Sequence, residues 1–144
     1  MLGVLRDRDT GETAHRPQPT YDDLTALVTE ARGAGARVEL ADRIGDRPVP
    51  VALGRTLYRV VQEGITNAHK HAPGALLNIE VSGDAAHGVE VLLRNQLGLG
   101  PTSTPGAGLG LIGLAERVGL AGGQLSHGVD RGAFVVRASL PWMP

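Results

Sequence analysis

The chain has 144 residues, a formal net charge of −1, 42% apolar residues, 21 glycines and no cysteine. That is room for one domain with a hydrophobic core and not for two. It excludes disulfides and thiolate metal sites, and it provides no basic footprint for nucleic acid. With aromatics at only 3%, the core has to be aliphatic.

Residues 1–20 hold Asp, Arg, Gly, Thr, Pro17 and Pro19, and they read as a linker. From Tyr21 to Ala34, Leu24, Leu27, Val28 and Ala31 recur at helical spacing, with Asp22 and Asp23 in the first turn and Gly33 and Gly35 at the end. Val38 to Leu40 reads as a short strand, and 42–50 as a turn-rich connection. A long helix is expected from about Ala52 to His71, with a buried stripe of Leu53, Leu57, Val60, Val61, Ile65 and Ala68, stopped by Pro73-Gly74. Leu76 to Ser82 and Val89 to Arg94 alternate as strands, with their hairpin turn between Gly83 and Gly88. Residues 95–107 show turn chemistry and no periodicity, and loops of that length are often functional. Gly108 to Leu120 is the next helix, ended by Gly122-Gly123. Gln124 to His127 and Ala133 to Leu140 form a last hairpin, and Pro141 closes the domain. Strands grouped with helices in this order predict an α+β fold, a two-layer α/β sandwich of about five strands and three helices.

Two segments carry chemistry. The first is Glu63-Gly-Ile-Thr-Asn67-Ala-His-Lys70-His71. At about 100° per residue, Asn67 lies about 40° from Glu63 and Lys70 about 20° to the other side. One helix face thus carries a carboxylate, an amide and a cation, which can hold a hydrated metal ion and a phosphate. An amide oxygen is a neutral hard ligand suited to Mg²⁺. The second segment is Gly106-Ala-Gly108-Leu109-Gly110-Leu111, a glycine-rich loop opening a helix, where backbone N–H groups meet phosphate oxygens. Together they point to a Mg-nucleotide site, with 95–107 as the lid over it. Glu63 has a plainer reading as well, an ion pair with Arg59 one turn earlier. His71 has two readings, phosphate contact or packing at the helix end, where the dipole favours a cation. His69 is expected to be partly buried and structural. It lacks a second histidine at ligand spacing, which argues against zinc.

Residues 57–71, LYRVVQEGITNAHKH, closely resemble the asparagine-containing box of sensor histidine kinases, and residues 106–118, GAGLGLIGLAERV, resemble their glycine box. The flavour is similar to the actinobacterial branch with nitrate-sensor and desaturase-sensor type catalytic domains. The resemblance covers residues 21–141 as one ATP-binding catalytic domain, within a superfamily that includes gyrase-type topoisomerases, a heat-shock chaperone and mismatch-repair ATPases. It implies a mixed sheet of about five strands packed under three helices, ATP and Mg²⁺ as ligands, Asn67 on the metal, Glu63 assisting phosphoryl transfer or metal hydration, and Lys70 and His71 matching the family's Lys-His. It also assigns Gly106, Gly108, Leu109, Gly110 and Leu111 to the glycine box. The family carries Asp-x-Gly-x-Gly at the adenine end, where the Asp accepts the amino hydrogens. Here Asn95 aligns with that Asp and Leu97 with the first Gly, so adenine recognition is expected to survive in weakened form.

None of the five histidines sits in the family's phosphoacceptor motif. His15 precedes Arg16-Pro17 in a loop, and His87 and His127 are each followed by Gly. The expectation is therefore the catalytic part of a longer two-component kinase. It donates the γ-phosphoryl group of ATP to a histidine on a separate dimerisation hairpin and is not competent for autophosphorylation alone. The response regulator would be reached indirectly. No apolar run approaches the ~18 residues of a membrane helix and no signal peptide opens the chain. The domain is expected in the cytoplasm, and a full-length protein that carries it can be membrane-anchored. Two alternatives stand beside this: a degenerate nucleotide-binding or interaction module, motivated by Asn95 and Leu97, and an anti-sigma-factor-type serine kinase.

Overall fold

The computed structural model describes residues 18–97 and 107–142. A 3₁₀ turn, Tyr21–Asp23, leads into α1, Leu24–Gly33; then come β1, Arg37–Asp42, α2, Val51–His71, β2, Leu76–Asp84, β3, Gly88–Gln96, α3, Ala107–Leu120, β4, Gln124–Asp130, and β5, Ala133–Leu140. The strands form one mixed sheet in the order β1-β2-β3-β5-β4. β1 and β2 run parallel, linked by α2 as the crossover, and all other pairs are antiparallel. The expected α+β sandwich is what forms. The described part of the expected linker, 18–20, ends on a cap: the Thr20 N–H donates to Asp23 Oδ2 at 2.8 Å. That cap is why the chain enters α1 through a tight turn instead of beginning the α-helix at Tyr21.

The core lies between the sheet and the helices. Leu77, Ile79 and Val81 of β2 and Val89, Val91 and Leu93 of β3 alternate inward, and they meet Leu53, Leu57, Val60 and Val61 of α2 and Leu111, Leu114 and Val118 of α3. Ile65 and Ala68 only edge that core, half-buried. His69 is exposed, not partly buried as expected. It lies about 140° around the helix from Gly64, the residue that faces the sheet. The outer sheet face carries charges instead, with Arg43 pairing Glu80 at 3.0 Å and Arg137 facing Glu90 at 3.9 Å. Exposed pairs of this kind add at most about 1 kcal/mol each.

The strands outrun their hydrophobic signal. β2 and β3 extend to Asp84 and from Gly88, because Asp84 Oδ1 accepts the N–H groups of Ala86 at 3.0 Å and His87 at 2.8 Å and so folds the turn into three residues. β4 runs three residues past the expected His127. Its connection to β5 is a two-residue turn with Arg131 at φ 52° and Gly132 at φ 76°, the pair of left-handed residues that suits a tight hairpin.

Tyr21 ties the entry turn to the sheet. Its hydroxyl donates to Asp42 Oδ1, which also accepts the N–H groups of Ile44 at 2.9 Å and Gly45 at 3.3 Å. Burial, then the bond to Asp42 and its charge, hold the phenol well above its usual range. Tyr58 is raised too, by burial and then by Asp23 and Glu30. A phenol with a raised folded pKa contributes stability that is complete below the unfolded value of about 10 and is lost as pH climbs beyond it. The melting temperature should therefore fall between pH 9 and 11, and less steeply in Tyr21→Phe. That variant should also lose about 1–2 kcal/mol near neutrality. Thermal melts across this pH series check both, and equal slopes in the two proteins would contradict the assignment.

Candidate functional site

α2 carries the polar face that the sequence marks, and two close approaches fix where that face lies. A Cβ on Gly64 would fall inside the Leu93 side chain, so the helix backbone is seated directly on β3. A Cβ on Gly110 would stand 2.5 Å from Glu63 Oε1 and 3.5 Å from Asn67 Oδ1. The glycine segment and the carboxylate–amide face therefore meet, although they are far apart in the chain. Gly110 is required there because any side chain would occupy the space that Glu63 and Asn67 face.

Glu63 and Asn67 are half-buried and make no hydrogen bond or ion pair among the described residues. The ion pair with Arg59 does not form; the Arg59 guanidinium contacts Gln62 Oε1 instead, at 3.5 Å. The Glu63 carboxylate thus has no partner among the described residues. Lys70 is exposed at the last turn of α2 with His69 and His71, where the helix dipole favours cations. His71 is half-buried, and its Nδ1 is buried without a partner among the described residues.

Asn95 is the buried polar side chain of the described core, 6% exposed, and its Oδ1 has no hydrogen-bond partner there. It belongs to β3, not to a loop, and points to the helix side two residues beyond Leu93. Its register partners are Leu77 on β2 and Phe134 on β5. The Leu97 N–H donates to the Gly132 carbonyl at 3.0 Å, which tethers the chain one residue past the strand. A buried amide among apolar neighbours is costly unless something completes it.

The glycine box is described from Ala107 onward, so Gly106 and residues 98–106 of the expected lid lie outside the described residues, while Asn95 and Gln96 belong to β3 and Ala107 to α3. Gly108 and Leu109 stand in the first turn of α3 by backbone. Leu111 is 3% exposed and anchors that helix in the core. Among the described residues no three His, Cys, Asp or Glu side chains gather as a metal site. A divalent ion here would have to be held by one or two oxygen donors plus the ligand's own phosphates and water, which is how Mg²⁺ is commonly bound. Glu63 and Asn67, hard oxygen donors one turn apart with space kept open by Gly110, fit that pattern.

Sequence reading missed Gly64 and its seat on Leu93. The available signal was a glycine inside a strongly periodic helix, where Ala would be better by about 1 kcal/mol and close packing is the usual reason.

A mixed five-stranded sheet thus lies under three helices, with a carboxylate–amide helix face closed by a glycine segment. No family model matches the chain. By sequence it is 30% identical over 141 residues to the signal transduction histidine-protein kinase/phosphatase UhpB of Salmonella typhimurium, covering 98% of this chain and 27% of that protein. It is 32% identical over 106 residues to the histidine-protein kinase/phosphatase DegS of Brevibacillus brevis, covering 74% of this chain and 25% of that protein. The ATP-binding domain of PrrB from Mycobacterium tuberculosis superposes with a TM-score of 0.59 at 25% identity, covering 86% of this chain and 94% of that one. The sequence homologues of this chain are thus sensor histidine kinases, and its fold is that of their catalytic ATP-binding domains. It spans about a quarter of the length of those curated relatives.

Proposed function

We propose that the chain is the catalytic module of a two-component sensor histidine kinase, spanning residues 21–141. It binds Mg-ATP between α2 and α3 and passes the γ-phosphoryl group to a histidine on a hairpin elsewhere in the full-length protein. The observation that carries this is the seat of Gly110 against Glu63 and Asn67, which assembles a phosphate-handling backbone and two oxygen donors in one place. The relatives named as kinases and a structural neighbour named as an ATP-binding domain support it.

In this reading Asn67 holds Mg²⁺, which neutralises phosphate charge when bound. Lys70 and His71 face the phosphates, and the backbone of the glycine segment, Gly106, Gly108, Leu109 and Gly110, follows their oxygens, with Leu111 holding the helix behind them. Asn95 meets the base. The imidazole nitrogen of the acceptor histidine attacks the γ-phosphorus, the bond to the β,γ-bridging oxygen breaks, and ADP leaves. Glu63 takes the proton that the attacked imidazole releases. Catalysis is then positioning and charge stabilisation, as in phosphoryl transfer generally. The domain works in the cytoplasm, and the response regulator is reached through the phosphohistidine. The actinobacterial branch is part of the same proposal and rests on residues 57–71 and 106–118.

The test is to supply the hairpin of the full-length protein in trans and follow acid-labile phosphohistidine. Glu63→Gln should keep Mg-ATP affinity within about threefold while transfer falls about 10²–10⁴-fold, the usual loss when a general base is removed. Equal transfer rates would remove Glu63 from the chemistry. Label appearing on serine instead of histidine would favour a serine kinase. A folded chain that binds no nucleotide would be an interaction module.

A further inference from the structure

Asn95 is the one polar or charged side chain buried in the described core. Its amide oxygen has no partner among the described residues. Its cross-strand neighbours, Leu77 and Phe134, offer none. On the same face two residues earlier, about 7 Å along an antiparallel strand, Leu93 receives Gly64 of α2. The amide therefore lies under the helix that carries Glu63 and Asn67, unpartnered among the described residues and open to completion by a ligand.

An amide carries an acceptor and a two-hydrogen donor at the end of one rotatable bond. With the oxygen toward a 6-amino purine, it accepts from the exocyclic amine and its NH₂ meets the ring N1, an acceptor. Turned half a circle, it accepts from the N1–H of a 6-keto purine and donates to the keto oxygen. The two edges are mirror arrangements of donor and acceptor, and an amide matches both. A carboxylate at the same place has only acceptors, so on either edge it meets one matching hydrogen and one opposing lone pair. Exchanging the ends of Asn95 changes neither the volume it fills nor its apolar neighbours. We propose that Asn95 sets the base selectivity of this site, and that the site accepts 6-keto purine nucleoside triphosphates, the inosine and guanosine type, about as well as ATP. This rests on the reading of Asn95 as the group that meets the base.

The test is a calorimetric series on the unaltered 144-residue chain with Mg-ATP, Mg-ITP and the Mg complex of purine riboside triphosphate, which has hydrogen at position 6. ITP isolates the keto group without the 2-amino group of GTP, which is measured next. The expected result is a Kd for ITP within about fivefold of that for ATP, with both about tenfold or more tighter than the unsubstituted purine, the worth of roughly one good hydrogen bond. In Asn95→Asp both ATP and ITP should bind about tenfold or more weaker than to the unaltered chain, because a carboxylate opposes one acceptor on either edge. Circular dichroism reports whether that variant folds, and the ligand series on the unaltered chain decides the matter if it does not. Binding of ATP about 100-fold tighter than ITP by the unaltered chain overturns the inference and leaves the nucleotide site standing. ATP and ITP binding no better than the unsubstituted purine overturns it as well, by removing Asn95 from the base. A folded chain that binds no nucleotide overturns the proposed function and this inference together.

Discussion

Asn67→Ala should cost about 100-fold or more in Mg-ATP affinity, equivalent to about 2.7 kcal/mol. Among the described residues no cluster of acidic or histidine ligands exists to take over a divalent ion. Mg²⁺ commonly relies on one or two protein oxygens and keeps the rest of its shell as water and phosphate. Losing the single amide oxygen therefore removes a large share of what the protein supplies. The substitution should leave the fold intact, since Asn67 is half-buried and bonds to no described residue. Titration of the wild-type chain and the variant, each with Mg²⁺ and with EDTA, separates the two effects. The wild-type affinity should fall sharply in EDTA, and the difference between the proteins should shrink there. A variant that binds Mg-ATP as tightly as the wild type would take Asn67 off the metal. The carboxylate one turn earlier, Glu63, would then be the better candidate, because its Oε1 is nearer than the Asn67 amide oxygen to the Cβ position of Gly110.

The elements were legible where one face is buried. α2 announces itself through Leu53, Leu57, Val60 and Val61, and β2 and β3 through strict alternation, because period 3.6 and period 2 are imprinted by the same core. β4 was cut short because it is a solvated edge strand: Val129 is 68% exposed, and after Leu125 no residue is buried to mark the strand. What continues it is the Arg131-Gly132 turn, which pairs Asp130 with Ala133 whatever the side chains. His69 was expected to be partly buried, yet the helical angle from Gly64, which faces the sheet, turns it to solvent. The polar residues of the site were legible as a helix face. That Gly110 closes over Glu63 and Asn67 was not, because it is a tertiary contact between segments with no shared periodicity. Asn95 was assigned to a loop because its polarity broke the alternation of β3. The structure keeps it in the strand and buries it, and an interruption of the local rule at a buried position is where function is to be sought.

Gly64→Val should be the most damaging single change to the framework that holds the site. The added Cβ falls inside the Leu93 side chain, and Leu93 Cγ is only 3.4 Å from that position. Leu93 is 2% exposed in a strand flanked by β2 and β5, so it has no free direction in which to swing. Either its rotamer is forced or α2 lifts from the sheet, and overpacking of this kind costs about 1–3 kcal/mol. At roughly 4 °C per kcal/mol for a domain of this size, the melting temperature should drop about 4–12 °C. Lifting α2 also carries Glu63 and Asn67 away from Gly110, so nucleotide affinity should fall although no residue of the polar face has changed. Leu93→Ala alone leaves a cavity, typically costing about 2–5 kcal/mol, but in combination with Gly64→Val the new side chain enters the space that Leu93 vacates. The double variant should be more stable than the sum of the two single losses predicts, with a coupling of about 1 kcal/mol or more. Strict additivity in denaturant titrations would mean that α2 does not rest on Leu93, and the placement of the polar face over Asn95 would fall with it.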